Sequence, residues 1–203
     1  MSSTNKPSKM TRQLKIYYRL TFSQIIGPAD IMLEFNITRR MLQRDLKDFK
    51  DSGLLNTKPD RKNNNYIKSD DAVFDESAPK RRKSHLVRLY RIGTLIHELS
   101  KTGKEDLHMY GSALDDYVFE IQLSKQNPTE YPPEEISDKP EPFDFPNIKA
   151  EYYALFPDSN ERTRQRDFEE LNRAGFKLYY DRKYKTFIFE YDENTGELMD
   201  IWS

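Results

Sequence analysis

At 203 residues the chain is long enough for one large domain or two small ones, and the absence of cysteine excludes disulfides and thiolate metal sites. Only 36% of residues are apolar and 33% are charged, yet 13 Tyr and 12 Phe supply large side chains to bury, so small cores under a charged surface are expected rather than disorder. The net charge of −1 averages opposites: residues 1–91 hold 20 Lys and Arg against 10 Asp and Glu, residues 92–145 hold 4 against 12, and residues 146–203 hold 9 against 12. An electropositive N-terminal half beside an acidic remainder is the pattern expected where one half meets phosphate.

Thr11 to Leu20 (TRQLKIYYRL) places Leu14, Tyr17 and Tyr18 on one helical face, which predicts a first helix. Gly27 and Pro28 then open a short second helix over residues 29–35, with Ile31, Met32 and Phe35 at helical spacing. In ITRRMLQRDLKDFKDSGLL, Thr38 is a natural N-cap and Gly53 a natural stop, so the third helix is predicted over residues 39–52. Leu42, Leu46 and Phe49 form its packing face. Arg40, Gln43, Arg44 and Lys47 fall at i, i+3, i+4 and i+7 on another, a row of guanidinium, amide and ammonium donors. Arg can pair bidentately with guanine, Gln with adenine, and Lys can neutralise phosphate, so this row, with Thr38 and Arg39, is the candidate DNA-reading surface. Asp45 cannot favour phosphate and is expected to orient a neighbouring Arg or Lys. After Gly53, the apolar pair Leu54-Leu55, the turn-rich KPDRKNNN and then Tyr66-Ile67 predict a hairpin whose basic tip brings Lys58, Arg61 and Lys62 to the nucleic-acid backbone or minor groove.

The run Ile37-Thr38-Arg39-Arg40-Met41-Leu42-Gln43-Arg44-Asp45-Leu46, closing with Asp51-Ser52-Gly53-Leu54-Leu55, resembles the winged helix-turn-helix module of DeoR-type and WYL-type bacterial transcriptional regulators. The resemblance covers residues 10–68 and is most specific at Arg40 and Gln43-Arg44-Asp45-Leu46; Met41 stands where the family usually has Thr. It implies a bacterial transcriptional regulator that reads operator DNA with the third helix.

The pattern recurs 122 residues later: Arg162, Gln165, Arg166, Asp167 and Gly175 repeat Arg40, Gln43, Arg44, Asp45 and Gly53. Allowing one residue of slippage, Asp181-Arg182-Lys183 matches Asp60-Arg61-Lys62, between strand-like FKLYY and KTFIFEY. The expected fold is therefore mainly α with small β-hairpin wings, an α+β chain of tandem winged helix-turn-helix units. The first unit spans residues 1–78 and the second 79–203, the latter interrupted by an acidic helical insertion and Pro-rich linker over about 105–147. In the second copy Glu161 and Glu169 replace Arg39 and Lys47, and Arg164 replaces core Leu42. Its Arg162, Gln165, Arg166, Arg182 and Lys183 are a candidate site for weak DNA binding, for an acidic partner surface or for dimerisation, with a structural or partner role favoured.

Between the repeats, SHLVRLYRIGTLIHEL predicts the second unit's first helix, with Leu86, Leu89, Tyr90 and Ile92 to Ile96 as an apolar face. The preceding Lys80-Arg81-Arg82-Lys83 resembles a nuclear import signal but is read as a phosphate-contacting linker beside a bacterial-type motif. Ser112 to Lys125 predicts a helix capped by Ser112 and Asp115 that could form a dimer face. Residues 127–146 hold six of the eleven prolines and predict an extended linker, and Ile148 to Phe156 predicts the second unit's second helix.

His85, His97 and His108 lack metal-ligand spacing, and no HExxH, Walker A or GxSxG motif is present, so neither catalysis nor a metal or other cofactor is expected. MSSTNKPSKM has no apolar signal region and no stretch approaches the roughly 20 apolar residues of a membrane span, so the expectation is a cytoplasmic protein. The expected partners are double-stranded DNA and a second copy of the chain, with any small-molecule effector unspecified. The principal functional expectation is a sequence-specific transcriptional regulator. The alternatives are a plasmid or phage replication or maintenance factor and a winged-helix protein-interaction module.

Overall fold

The structure, a computed structural model, describes residues 7–22, 26–60, 62–69, 71–100, 104–133, 136–140, 147–182 and 186–190. Among these the chain forms helices α1 (Lys9–Phe22), α2 (Pro28–Glu34) and α3 (Arg39–Asp51), a hairpin β1 (Asn56–Asp60) and β2 (Asn65–Ser69), then α4 (Lys80–Leu99) and α5 (Lys104–Gln126). It ends with α6 (Ile148–Leu155), α7 (Glu161–Arg173) and a second hairpin, β3 (Lys177–Asp181) and β4 (Thr186–Glu190). The architecture is mainly helical α+β, with two small antiparallel hairpins that do not join into one sheet. No helix among the described residues is long and apolar enough to cross a membrane.

Local chemistry sets the element ends. Asp30 accepts from the Gly27 N–H (3.0 Å) and Pro28 opens α2. Thr38 Oγ1 accepts from the Met41 N–H at the start of α3, and Asn160 Oδ1 accepts from the Thr163 N–H at the start of α7. Both long repeat helices stop at a glycine in the left-handed region, Gly53 at φ 75° and Gly175 at φ 89°, where a side chain would be strained. Each glycine turns the chain into its hairpin. In the first, Asn56 faces Ser69 and Asp60 faces Asn65; Asn64 takes the positive φ of the turn, and the Tyr66 N–H donates to the Ile26 carbonyl, tying the hairpin to the entry of α2. In the second, Lys177 faces Glu190 and Asp181 faces Thr186, and Asn172 on α7 clasps both backbone groups of Leu178 at 2.8 Å.

The buried side chains of both repeats merge into one apolar cluster, from Met10 and Leu14 through Phe49 and Ile92 to Phe176 and Phe189. Its centre is the α1–α4 contact. α4 packs on α1, α3 and α7, while α1 also packs on α7. These contacts are reciprocal: α1 against α7 mirrors α4 against α3, as an approximate two-fold axis between α1 and α4 would produce. Polar pairs obey the same relation. Lys9 on α1 reaches Asp48 on α3 (2.7 Å), and Arg88 on α4 reaches Glu170 on α7 (3.1 Å).

The sandwiching of α1 explains why its burial exceeds the predicted stripe: Thr11, Gln13 and Ile16 are buried along with Leu14, Tyr17 and Tyr18. Three other expectations are corrected. Lys80-Arg81-Arg82-Lys83 is the first turn of α4, not a linker; Arg82 turns inward to Asp48, Asp51 and Asp75, and Lys83 pairs with Glu76. Ser112 and Asp115 lie inside α5, which begins at Lys104, so neither caps it. Tyr90 is exposed rather than part of the apolar face of α4, whose inward positions are Leu86, Leu89, Ile92, Leu95, Ile96 and Leu99. The Pro-rich stretch has no helix or strand among its described residues beyond a brief turn near Pro133.

Candidate functional site

Helix α3 divides its polar residues by charge. Its acids face inward. Asp45 is fully buried and accepts from Arg12 Nε (2.9 Å), Arg12 Nη2 (3.1 Å) and Gln13 Nε2 (3.0 Å), so its guanidinium partner comes from α1 rather than from α3 itself. One turn on, Asp48 accepts from Gln13 Nε2 (3.0 Å) and Arg82 (3.2 Å) and pairs with Lys9. Burial opposes ionisation of Asp48, but the hydrogen bonds from Lys9, Gln13 and Arg82 outweigh it and hold the carboxyl below its usual value. Because Gln13 spends its amide N–H groups on the two aspartates, its oxygen is left to accept from His85 Nε2 at 2.9 Å. Burial, reinforced by the Lys9 charge, keeps the His85 imidazole below its ordinary value although Asp48 and Asp45 pull the other way.

The donors face outward. Thr38, Arg39, Arg40, Gln43, Arg44 and Lys47 are all exposed, and Arg40, Gln43 and Arg44 have no side-chain hydrogen bond or ion pair among the described residues. At 1.5 Å per residue, the row from Arg40 to Lys47 is about 10 Å long. Asp45, Asp48 and Asp51 are engaged away from this face and Lys47 feels the charge of Asp75, so the positive charge and donors left without a partner among the described residues are those of Arg40, Gln43 and Arg44. Such a row can bind an extended anion and reach acceptors on planar rings. Thr38 serves the helix by accepting from Met41, which leaves its hydroxyl proton free to donate outward.

The first hairpin contributes less than its sequence suggests. Lys58 is exposed but lies 3.6 Å from Asp71. Lys62 is exposed, and Asp60 accepts from its backbone N–H and from Asn63, shaping the tip. Arg61 lies outside the described residues.

Helix α7 repeats the inward half of this arrangement. Asp167 is fully buried and accepts from Arg91 Nε, Arg91 Nη2 (3.1 Å) and the Tyr152 hydroxyl (2.8 Å). Glu170, at the position of Asp48, is buried and accepts from Arg88, from Thr11 of α1 and from Ser8 just before that helix. The outward half differs. Arg164 is buried against the Phe168 and Phe187 rings, at 4.8 and 5.5 Å from their centroids, and pairs with Glu161. Arg164 and the Tyr153 hydroxyl hold the Glu161 carboxyl down to about 2. Glu161 also accepts from Gln165 (3.1 Å), so Gln165 is occupied where its counterpart Gln43 has no partner among the described residues. Glu169 lies beside Arg173. Arg162, Arg166 and Arg182 are exposed, whereas Lys183 lies outside the described residues.

The inward pairs were not legible as such in the sequence: Lys9, Arg12 and Gln13 meet partners on α3 that lie 32 to 39 positions away, and Arg82 meets Asp51 and Asp48 at 31 and 34 positions besides the nearer Asp75. The available signal was Asp45 itself, an acid set between the cations Arg44 and Lys47 and repeated as Asp167. No family model matches the chain, and comparisons with curated proteins and with solved structures find no match to it either.

Proposed function

We propose that the chain is a sequence-specific double-stranded DNA-binding protein acting as a transcriptional regulator in the cytoplasm, built from two winged helix-turn-helix units. Helix α3 enters the major groove. The observation that carries this reading is the division of α3: Arg40, Gln43, Arg44 and Lys47 are exposed while Asp45 and Asp48 are turned inward and neutralised. Arg40 and Arg44 supply guanidinium forks for guanine edges, Gln43 an amide for adenine, and Arg39, Lys47 and the Thr38 hydroxyl contact flanking phosphates. Lys62 on the first hairpin adds a backbone contact. Binding, not turnover, is the activity.

The reciprocal packing of the two units supports inverted half-sites over direct repeats, and so favours a regulator over a replication initiator acting on repeat arrays. A second copy of the chain would extend the site further. Pulling down fragmented genomic DNA at two salt concentrations and sequencing what is retained tests the proposal. An enriched motif that survives the higher salt is the expected result. Absence of binding even at low salt would remove it in favour of a protein-interaction module.

A further inference from the structure

The two repeats differ in how far their first helix extends. Arg88 and Arg91 of α4 play the parts of Lys9 and Arg12 of α1, yet α1 begins at Lys9 whereas α4 begins at Lys80, eight residues before Arg88. This extra N-terminal stretch of α4 runs beside the outward face of α7. Between them lies a cleft of about 880 Å³, bounded by Lys80, Lys83 and Val87 on one side and Thr163, Arg166 and Arg173 on the other, with the buried Asp167–Arg91 pair at its floor. Arg166 is the counterpart of Arg44, so a position that is open in the first repeat is one wall of a concavity in the second.

The charge of the cleft is one-sided. Six of its lining residues are Lys or Arg and two are acidic, and of those acids Asp167 is neutralised by Arg91 and Glu169 lies 3.6 Å from Arg173. Lys83 is paired with Glu76 and Arg88 with Glu170. Lys80 and Arg166 are exposed, stand on opposite walls and have no ion-pair partner among the described residues. Two uncommitted cations facing one space, backed by four that are already paired, leave a positive field that no anion among the described residues answers.

We propose that this cleft is a binding site for a small phosphorylated molecule carrying two or more phosphate groups. Its volume lies within the roughly 300–1,000 Å³ usual for small-ligand sites. The Arg166 fork and the Lys80 ammonium grip phosphate from both sides, and Val87 offers apolar ground for the rest of the ligand. A rigid duplex is a poorer occupant, because the N-terminal turns of α4 stand beside the face of α7 that a groove would have to cover.

Isothermal titration of the full chain with inorganic tripolyphosphate and with ATP, at fixed ionic strength, tests the assignment without DNA. One saturable site per chain is expected, weakened at least tenfold in a Lys80→Ala/Arg166→Ala variant and unchanged in Arg40→Ala/Arg44→Ala, with thermal unfolding of both variants close to that of the parent. Absence of saturable binding, or equal loss in both variants, overturns it. So does loss of duplex affinity in Lys80→Ala/Arg166→Ala without any tripolyphosphate binding, which would make the cleft a second duplex contact.

Discussion

Helices α3 and α7 are each built on a buried carboxylate, Asp45 and Asp167, and show solvent different surfaces. Asp45 with Arg12 and Asp167 with Arg91 fix each helix against its unit's first helix, and Gly53 and Gly175 turn each into its hairpin. Outside that shared frame, α3 leaves Arg40, Gln43 and Arg44 unpaired among the described residues, whereas α7 ties Gln165 and Arg164 to Glu161 and turns Arg166 toward a cleft. Two segments of like pattern can thus share the same inward contacts and differ at their faces. The acids needed for packing are a fixed cost of the fold; the free cations are where the copies specialise.

The comparison breaks first at the shared carboxylates. Asp45→Ala and Asp167→Ala each strand a largely buried guanidinium and should each destabilise the protein by about 3–5 kcal/mol, read by chemical denaturation. Similar losses would confirm a common frame, and a loss confined to one copy would show that the second pair is decorative. Because the buried cluster runs through both repeats, each variant should unfold in a single transition seen equally by both halves. Next in size, Gly53→Ala places a Cβ 3.3 Å from the Phe74 backbone nitrogen at a positive φ and should cost about 1 kcal/mol or more, as should Gly175→Ala on its backbone conformation alone.

The seam between the units should be acid-sensitive. Asp48 and His85 are both held below their ordinary values, so the unfolded chain binds protons more readily than the folded one. The His85 contribution is complete above its unfolded value, near 6.5, and is lost as pH falls through the lower folded value; the Asp48 contribution follows the same course in the carboxylate range. Stability measured from pH 7 to pH 4 should therefore decline, and His85→Gln should flatten the upper part of that decline. The smallest effect is local to α7: Arg164→Leu restores the apolar residue of the first copy and should let the Glu161 carboxyl rise from about 2 toward the ordinary carboxylate value, followed by NMR titration.

Much of this division could be read from the residues alone. The spacing of Leu42, Leu46 and Phe49 against Arg40, Gln43, Arg44 and Lys47 set the two faces of α3, and the recurrence at Arg162 to Gly175 marked the second copy. Periodicity succeeds there because each helix has one dry side. It underestimates α1, which is covered from both sides by elements distant in sequence. The tetrad at Lys80 misled because a run of four cations reads as solvated, and only the fold brings Asp48, Asp51 and Asp75 around Arg82. Glu161 likewise read as repelling phosphate, since nothing local in the sequence shows that Arg164 needs a counter-ion inside the core.

The most direct test of the account compares the two copies on one duplex. Using the motif retained from genomic DNA, affinity is measured by fluorescence anisotropy for the parent, Arg44→Ala and Arg166→Ala. The account predicts that Arg44→Ala loses about 1–3 kcal/mol and relaxes base preference at one position, while Arg166→Ala stays close to the parent. Equal losses in the two variants, or none in Arg44→Ala, would contradict it.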